Sequence, residues 1–297
     1  MGHEPALGYI AHVDPAKIRR ITIKGLFSDD TLYEQLVLKG GNALNLVHCI
    51  GNRSSLDIDV SLEEDFTDPR DAQDRIFRAL ESRFREEGLV LVDKRFREIK
   101  AATEDELAER WGGYELVFKV IEQERLEKLG GDTRKAQIQA LPSGPNQERN
   151  FTIQISKFEY CKGKAEAAFE DYTIYVYSPA MIAFEKLRAI CQQMEEYPGL
   201  GRKHRIPRAR DFFDITVITK WENLDFKTPE NHELIMRIFE AKAVPRSLIA
   251  KIPKYREFHR PDWPQVQNAV PIVLKEFDYY FDFVIQQTEL LKPLWIK

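Results

Sequence analysis

Asp57 and Asp59 stand two residues apart near the end of LKGGNALNLVHCIGNRSSLDIDV, residues 38–60. On a strand, residues two apart face the same way. If the strand begins early, Arg53, Ser55, Asp57 and Asp59 share one face, while Ile58 and Val60 face the core. Two carboxylates about 4 Å apart repel by roughly 4 kcal/mol at an effective dielectric of 20. A divalent cation offsets that repulsion. Carboxylate oxygens suit Mg²⁺, which usually keeps waters and takes phosphate oxygens as its other ligands. Upstream, Gly40 and Gly41 let the backbone approach a phosphate closely. A helix begins just after them, and its exposed N–H groups favour an anion. Alone, Asp-x-Asp reads as a solvated strand face and Gly-Gly as a turn. In this order and spacing they read as a triphosphate–metal site with Asp57 and Asp59 as metal ligands.

The surrounding pattern predicts the elements that hold these residues. Residues 29–38 read as a helix that Gly40 and Gly41 break, and residues 43–50 as a second short helix. Residues 55–62 alternate as a strand. Residues 69–87 form a charged amphipathic helix with Ile76, Leu80 and Phe84 on one side. Strands are expected at 88–100, 113–121, 151–160 and 172–177, with a loop at 129–150. Ser178 is a good N-cap, and Pro179 suits the first helical position. From there helices are expected at 179–197, 208–220, 229–242 and 264–291, the last interrupted near Pro271. The first part is therefore mixed α and β and the second helical, with a boundary near 165–178.

Composition narrows the classes. The chain has 297 residues, 43% of them apolar, and a formal net charge of −4, so a nucleic acid would need a local basic patch. No run of about 18 apolar residues predicts a membrane span. The N-terminal MGHEPALGYIAHVD lacks a basic then apolar pattern, so no signal peptide is expected. Cys49, Cys161 and Cys191 are odd in number and without metal spacing, which reads as reduced thiols in a cytoplasm.

Gly-Gly followed by Ala43 and Leu44, then R-x-S-x-D-I-D from Arg53 to Asp59, resembles the polymerase-β-like nucleotidyltransferase superfamily. Within it, the chain looks like the AbiEii/AbiGii-type toxins of bacterial toxin–antitoxin and abortive-infection (phage-defence) systems. YSPAMIAFEKLRAICQQ and RARDFFDI resemble that family's later motifs, and the resemblance covers roughly residues 30 to 220. It implies an α+β fold: a nucleotidyltransferase-fold mixed sheet with flanking helices, followed by an α-helical C-terminal domain. The division expected is 1–177 for the first and 178–297 for the second, which contributes to the active-site cleft. The resemblance also implies Mg²⁺-dependent transfer of a nucleoside monophosphate from a nucleoside triphosphate to an acceptor. RNA is the implied acceptor, with the tRNA 3′ end leading, and a cognate antitoxin is the implied partner. Gly40, Gly41, Asn42, Arg53, Ser55 and Lys186 become nucleotide-binding residues, and Asp57, Asp59, Lys186 and Asp211 catalytic ones. Asn42 stands where the family usually has Thr and keeps a polar side chain.

Local geometry reads the later motifs more plainly. Ala183, Leu187, Ile190, Cys191 and Met194 form an apolar stripe, with Glu185, Arg188 and Gln192 roughly opposite. Lys186 lies on the flank, about 85° from the stripe's centre, and alone would snorkel. The resemblance makes it a point charge for a phosphate. Asp211 and Asp214 lie one turn apart. Asp211 suits a helix N-terminus, and the resemblance places it in the active site. Asp214 reads equally as a structural partner of an arginine. The run Arg202, Lys203, His204, Arg205, Arg208 and Arg210 suits an RNA backbone, though a bare charge run more often lies on a solvated loop.

One position departs from the superfamily. A third carboxylate is expected on the strand FTIQISKFEY at or near residue 154, where this chain has Gln154. Glutamine can ligate a metal but cannot take a proton, and Glu159 lies on the opposite face by parity. General-base assistance is typically worth about 10²–10⁴ in rate. The alternative readings are a degenerate module that binds nucleotide without turnover, and an enzyme that nucleotidylates a protein hydroxyl.

Overall fold

A computed structural model describes residues 14–51, 55–100, 110–144, 147–197 and 205–295. Helix α1 (Pro15–Leu26) begins on Asp14, whose side chain accepts from the Ala16 N–H. Then come α2 (Asp30–Gln35), β1 (Val37–Lys39), a turn α3 (Gly40–Asn42) that continues as a π-helical turn (Ala43–Val47), and β2 (Ile58–Ser61). The long helix α4 (Pro69–Glu86) precedes β3 (Leu89–Ile99) and β4 (Gly113–Glu122). Short helices α5 (Gln123–Lys128) and α6 (Thr133–Ile138) lead to β5 (Phe151–Ser156), β6 (Ala165–Phe169) and β7 (Tyr172–Val176).

The remainder is helical: α7 (Pro179–Gln192), α8 (Ala209–Glu222), α9 (Pro229–Ala241) and a 3₁₀ segment (Arg246–Tyr255). It closes with α10 (Arg256–His259), a 3₁₀ turn (Arg260–Asp262), α11 (Trp263–Ala269), α12 (Phe277–Glu289) and α13 (Lys292–Trp295). None of the helices among the described residues is long and apolar enough to cross a membrane.

The seven strands form one mixed sheet in the order β3-β4-β5-β2-β1-β7-β6. At its centre β1 runs antiparallel to β2, and β2 runs parallel to β5. Lys39 pairs with Asp59, Asp59 with Gln154, and Gln154 with Glu115. Cross-strand partners share a face, so the sheet sets these four side chains in a row.

The helices are placed by ordinary signals. Asp68 caps α4 by accepting from the N–H groups of Arg70 and Asp71, and Pro69 opens it. Ala72, Ile76, Phe77, Leu80 and Phe84 are its buried side. One apolar core includes Ile18, Ile76, Phe84, Phe118 and Ile153. A second gathers Phe184, Leu187, Phe212, Phe239 and Phe281 from α7, α8, α9 and α12. Burying each such side chain contributes about 1.5–3 kcal/mol.

Several expectations are corrected. The helix expected over 29–38 stops at Gln35, and Val37–Lys39 is a strand. It is zipped between β2 and β7, partners that local pattern does not reveal. The strand expected over 55–62 is shorter, so Asp57 precedes it. The strand expected over 151–160 ends at Ser156. The loop expected over 129–150 holds α6, capped by Asp132. The helix expected over 264–291 is two, α11 and α12, with a break wider than Pro271 alone. Glu185, Arg188 and Gln192, expected roughly opposite the apolar stripe, lie on a face that is also covered. Arg188 and Gln192 are buried and Glu185 nearly so, because other charges and the sheet cover them.

Candidate active site

One cleft of about 370 Å³ brings most of the predicted residues together. Its sheet wall carries Asp57, Asp59, Gln154 and Ser156, with Gly40, Gly41 and Ser55 beside them. Its helical wall carries Glu185 and Lys186 from α7, and Arg208, Arg210 and Asp211 from the start of α8. The volume lies in the range of small-molecule sites. Arg53, Arg202, Lys203 and His204 lie outside the described residues.

Gly40 is fixed by two constraints. Its φ is +68°, and a Cβ there would stand 2.4 Å from Asp59 Oδ2. The glycine thus lets the β1–α3 turn press against the carboxylate. Gly40→Ala should strain the backbone by about 1–2 kcal/mol and displace the Asp59 side chain. Thermal denaturation and Mg²⁺–triphosphate titration should both fall. A variant near wild type in both would refute this role of the turn.

Asn42 is buried, and its Nδ2 donates to the Asp57 carbonyl oxygen at 2.6 Å. Its amide therefore pins the approach to β2 and is already engaged by the chain itself.

The two aspartates are under-neutralised. Desolvation in the cleft raises the Asp57 carboxyl, against the pull of the Arg210 guanidinium and a Thr152 hydrogen bond. Burial pushes Asp59 up to about 6, with Glu185 and Asp57 adding and Lys39 and Lys186 opposing.

On the opposite wall, Lys186 is buried rather than snorkelling. Its Nζ lies 2.9 Å from Asp211 Oδ1 and 2.8 Å from Asp214 Oδ2. Asp214 therefore has this lysine as a partner. Arg208 Nη1 is 3.0 Å from Asp211 Oδ2. Burial alone would raise the Asp211 carboxyl, but Lys186 and Arg208 outweigh it and hold the group well below the usual carboxylate range. Arg210 is about half exposed and faces the same cleft.

A second charged layer was not visible in the sequence. Lys39 Nζ lies 3.4 Å from Glu159 Oε1 and 3.4 Å from Glu185 Oε1. Arg188 bridges the same two carboxylates at 3.0 Å each, and Lys242 approaches Glu159 at 3.6 Å. Burial opposes ionisation of Glu159, yet Arg188, Lys39 and Lys242 together keep its carboxyl far below normal. These partners lie 29 to 146 residues apart, except Glu185 and Arg188.

Comparison with curated proteins gives no match. Among solved structures, the fold is similar to MenT4, a nucleotidyltransferase toxin from Mycobacterium tuberculosis H37Rv. The match has 15% identity over 97% of this chain and 87% of that one, with a TM-score of 0.53. An antigenic nucleotidyltransferase-like protein from Paracoccidioides brasiliensis matches at 15% identity over 84% of this chain and 93% of that one. Its TM-score, 0.35, carries no argument. The family described as nucleotidyl transferase AbiEii toxin, Type IV TA system, matches residues 23–285, and the chain belongs to that family of nucleotidyltransferase toxins.

Proposed function

We propose that this toxin transfers a nucleoside monophosphate from a Mg²⁺-bound nucleoside triphosphate to an RNA acceptor, the tRNA 3′ end being the leading candidate. The observation that carries this reading is the single cleft setting Asp57 and Asp59 opposite Lys186, Asp211, Arg208 and Arg210. In this reading residues 1–177 form the nucleotidyltransferase-like domain, and residues 178–297 close the cleft. A cognate antitoxin silences the enzyme, and its setting is the cytoplasm.

Asp57 and Asp59 fit a magnesium ion. Both carboxyl groups are raised, mainly by burial, so their ionised forms lack compensation in the cleft that a bound cation would supply. Among the described residues no group of three or more His, Cys, Asp or Glu stands ready for a metal. Two carboxylates plus water and phosphate oxygens is a shell magnesium commonly takes. When bound, the ion neutralises triphosphate charge.

The chain's own residues do the rest. Arg208 and Arg210 face the triphosphate as cations, and Lys186 adds a buried positive charge beside them. The acceptor hydroxyl attacks the α-phosphate in line. The bond from the α-phosphorus to the bridging oxygen breaks, pyrophosphate leaves and the hydroxyl proton passes to solvent water, chemistry in which positioning and charge dominate. Asp211 is a weak proton acceptor, because Lys186 and Arg208 stabilise its anion. It instead holds both cations at the cleft wall.

Gln154 favours a second reading, a module that binds nucleotide without turnover. It pairs with Asp59 on the neighbouring strand, where a carboxylate would be the natural base. Triphosphate binding without pyrophosphate release would select that reading.

Asp59 gives the binding step a pH signature. A carboxyl raised to about 6 is neutral below that pH and charged above it. The cation needs the charged form, so the proton competes on the acid side. Mg²⁺-dependent triphosphate affinity should be level above about pH 7 and fall up to tenfold per unit below about pH 6. Calorimetric titration across this range tests it, and a flat profile down to about pH 5 contradicts it.

A further inference from the structure

Helix α8 delivers Arg208, Arg210 and Asp211 to the cleft, yet its own sequence supplies no cap. Arg208 is the N-cap residue and makes no side-chain cap hydrogen bond. Ser, Thr, Asp or Asn would be the usual choice. Its partners come instead from the C-terminal segment. The Arg208 N–H donates to His259 Nδ1 at 3.1 Å, across 51 residues of sequence. The Asp262 carboxylate lies beside the same turn, its Oδ2 3.9 Å from Arg210 Nε. Both side chains are buried, His259 completely.

Because Nδ1 accepts, the imidazole is neutral and carries its proton on Nε2. Burial favours that form and lowers the group to about 4. Nε2 is buried and finds no partner. An apolar side chain between Phe212 and Phe258 would avoid that orphaned donor. The histidine's polar contribution here is therefore the bond at Nδ1.

We propose that His259 and Asp262 are positioning residues: His259 caps α8 in trans, Asp262 holds Arg210 by charge, and together they fix the first turn of α8 and so aim Arg208 and Arg210 at the triphosphate. The inference rests on the nucleotide reading above. It makes the C-terminal segment part of the active site's support, without contact to the reacting atoms.

Paired substitutions test it. His259→Asn keeps an acceptor near the Nδ1 position, and His259→Leu removes it. Asp262→Glu keeps the carboxylate, and Asp262→Ala removes it. Each full-length protein is titrated calorimetrically with Mg²⁺ and ATP, CTP, GTP or UTP in turn, below its unfolding temperature. The Leu and Ala variants should bind about tenfold more weakly, with His259→Asn and Asp262→Glu close to wild type. Amide exchange over residues 205–213 should quicken only in the Leu and Ala variants. A folded His259→Leu protein that binds like wild type, or a His259→Asn protein as weak as it, overturns the proposal. If His259→Leu does not fold, the Asp262 pair decides by the same criteria. A wild type that binds none of the four overturns the nucleotide reading itself, and unchanged amide exchange in the variants would then refute the cap separately.

Discussion

Asp59→Asn is expected to abolish Mg²⁺-dependent triphosphate binding and transfer while leaving the fold at least as stable. The carboxyl is buried at the sheet wall and held near a pKa of about 6 by desolvation, Glu185 and Asp57. Ionised and without a cation, it is a liability to the folded protein. The amide keeps its shape and removes the charge. Metal stabilisation of transferred charge is worth several kcal/mol, so activity should fall by at least about 10³-fold. The melting temperature of the metal-free protein should hold or rise. Measuring both on one preparation separates a lost ligand from a damaged fold. A variant that keeps its activity, or loses it only by unfolding, would contradict the assignment of Asp59.

Lys186→Met is expected to act in the opposite way, on fold and function together. Lys186 lies within 3 Å of both Asp211 and Asp214, and all three are buried. Removing one partner of a buried ion pair typically costs about 3–5 kcal/mol, because the remaining charge is left in a poor environment. The loss should appear in urea denaturation as a lower midpoint. Lys186→Met with Asp214→Leu should recover part of that stability, since one of the two carboxylates that face the lysine goes with it. It should not recover triphosphate binding, which needs the cation. Recovery of binding in the double variant would show that Lys186 serves the fold alone.

What was legible in the sequence had local causes. Asp57 and Asp59 were readable because alternation and the glycines that precede them lie within about twenty residues. The start of α7 was readable from Ser178 and Pro179, whose cap and ring act on their own neighbours. The match of Asp211 to Lys186 came from family resemblance, and the two side chains meet at 2.9 Å. What was missed depends on distant partners. Strand β1 is three residues long and exists because β2 and β7 flank it. Strand β6, AEAAF, is an edge with little strand-forming character. The burial of Arg188 was not readable because its partner Glu159 lies 29 residues away. The cap of α8 could not be read at all, since it arrives from a segment 51 residues on.

The most direct test of the central claim is label transfer. Purified protein would be incubated with Mg²⁺, total tRNA and each α-labelled nucleoside triphosphate in turn, with Asp57→Asn alongside. The account predicts label on RNA from wild type, pyrophosphate released with it, and neither from Asp57→Asn. Label on a protein band would move the acceptor from RNA to a protein hydroxyl. Bound triphosphate with no label anywhere and no pyrophosphate would contradict turnover and leave Gln154 as the mark of a binding module.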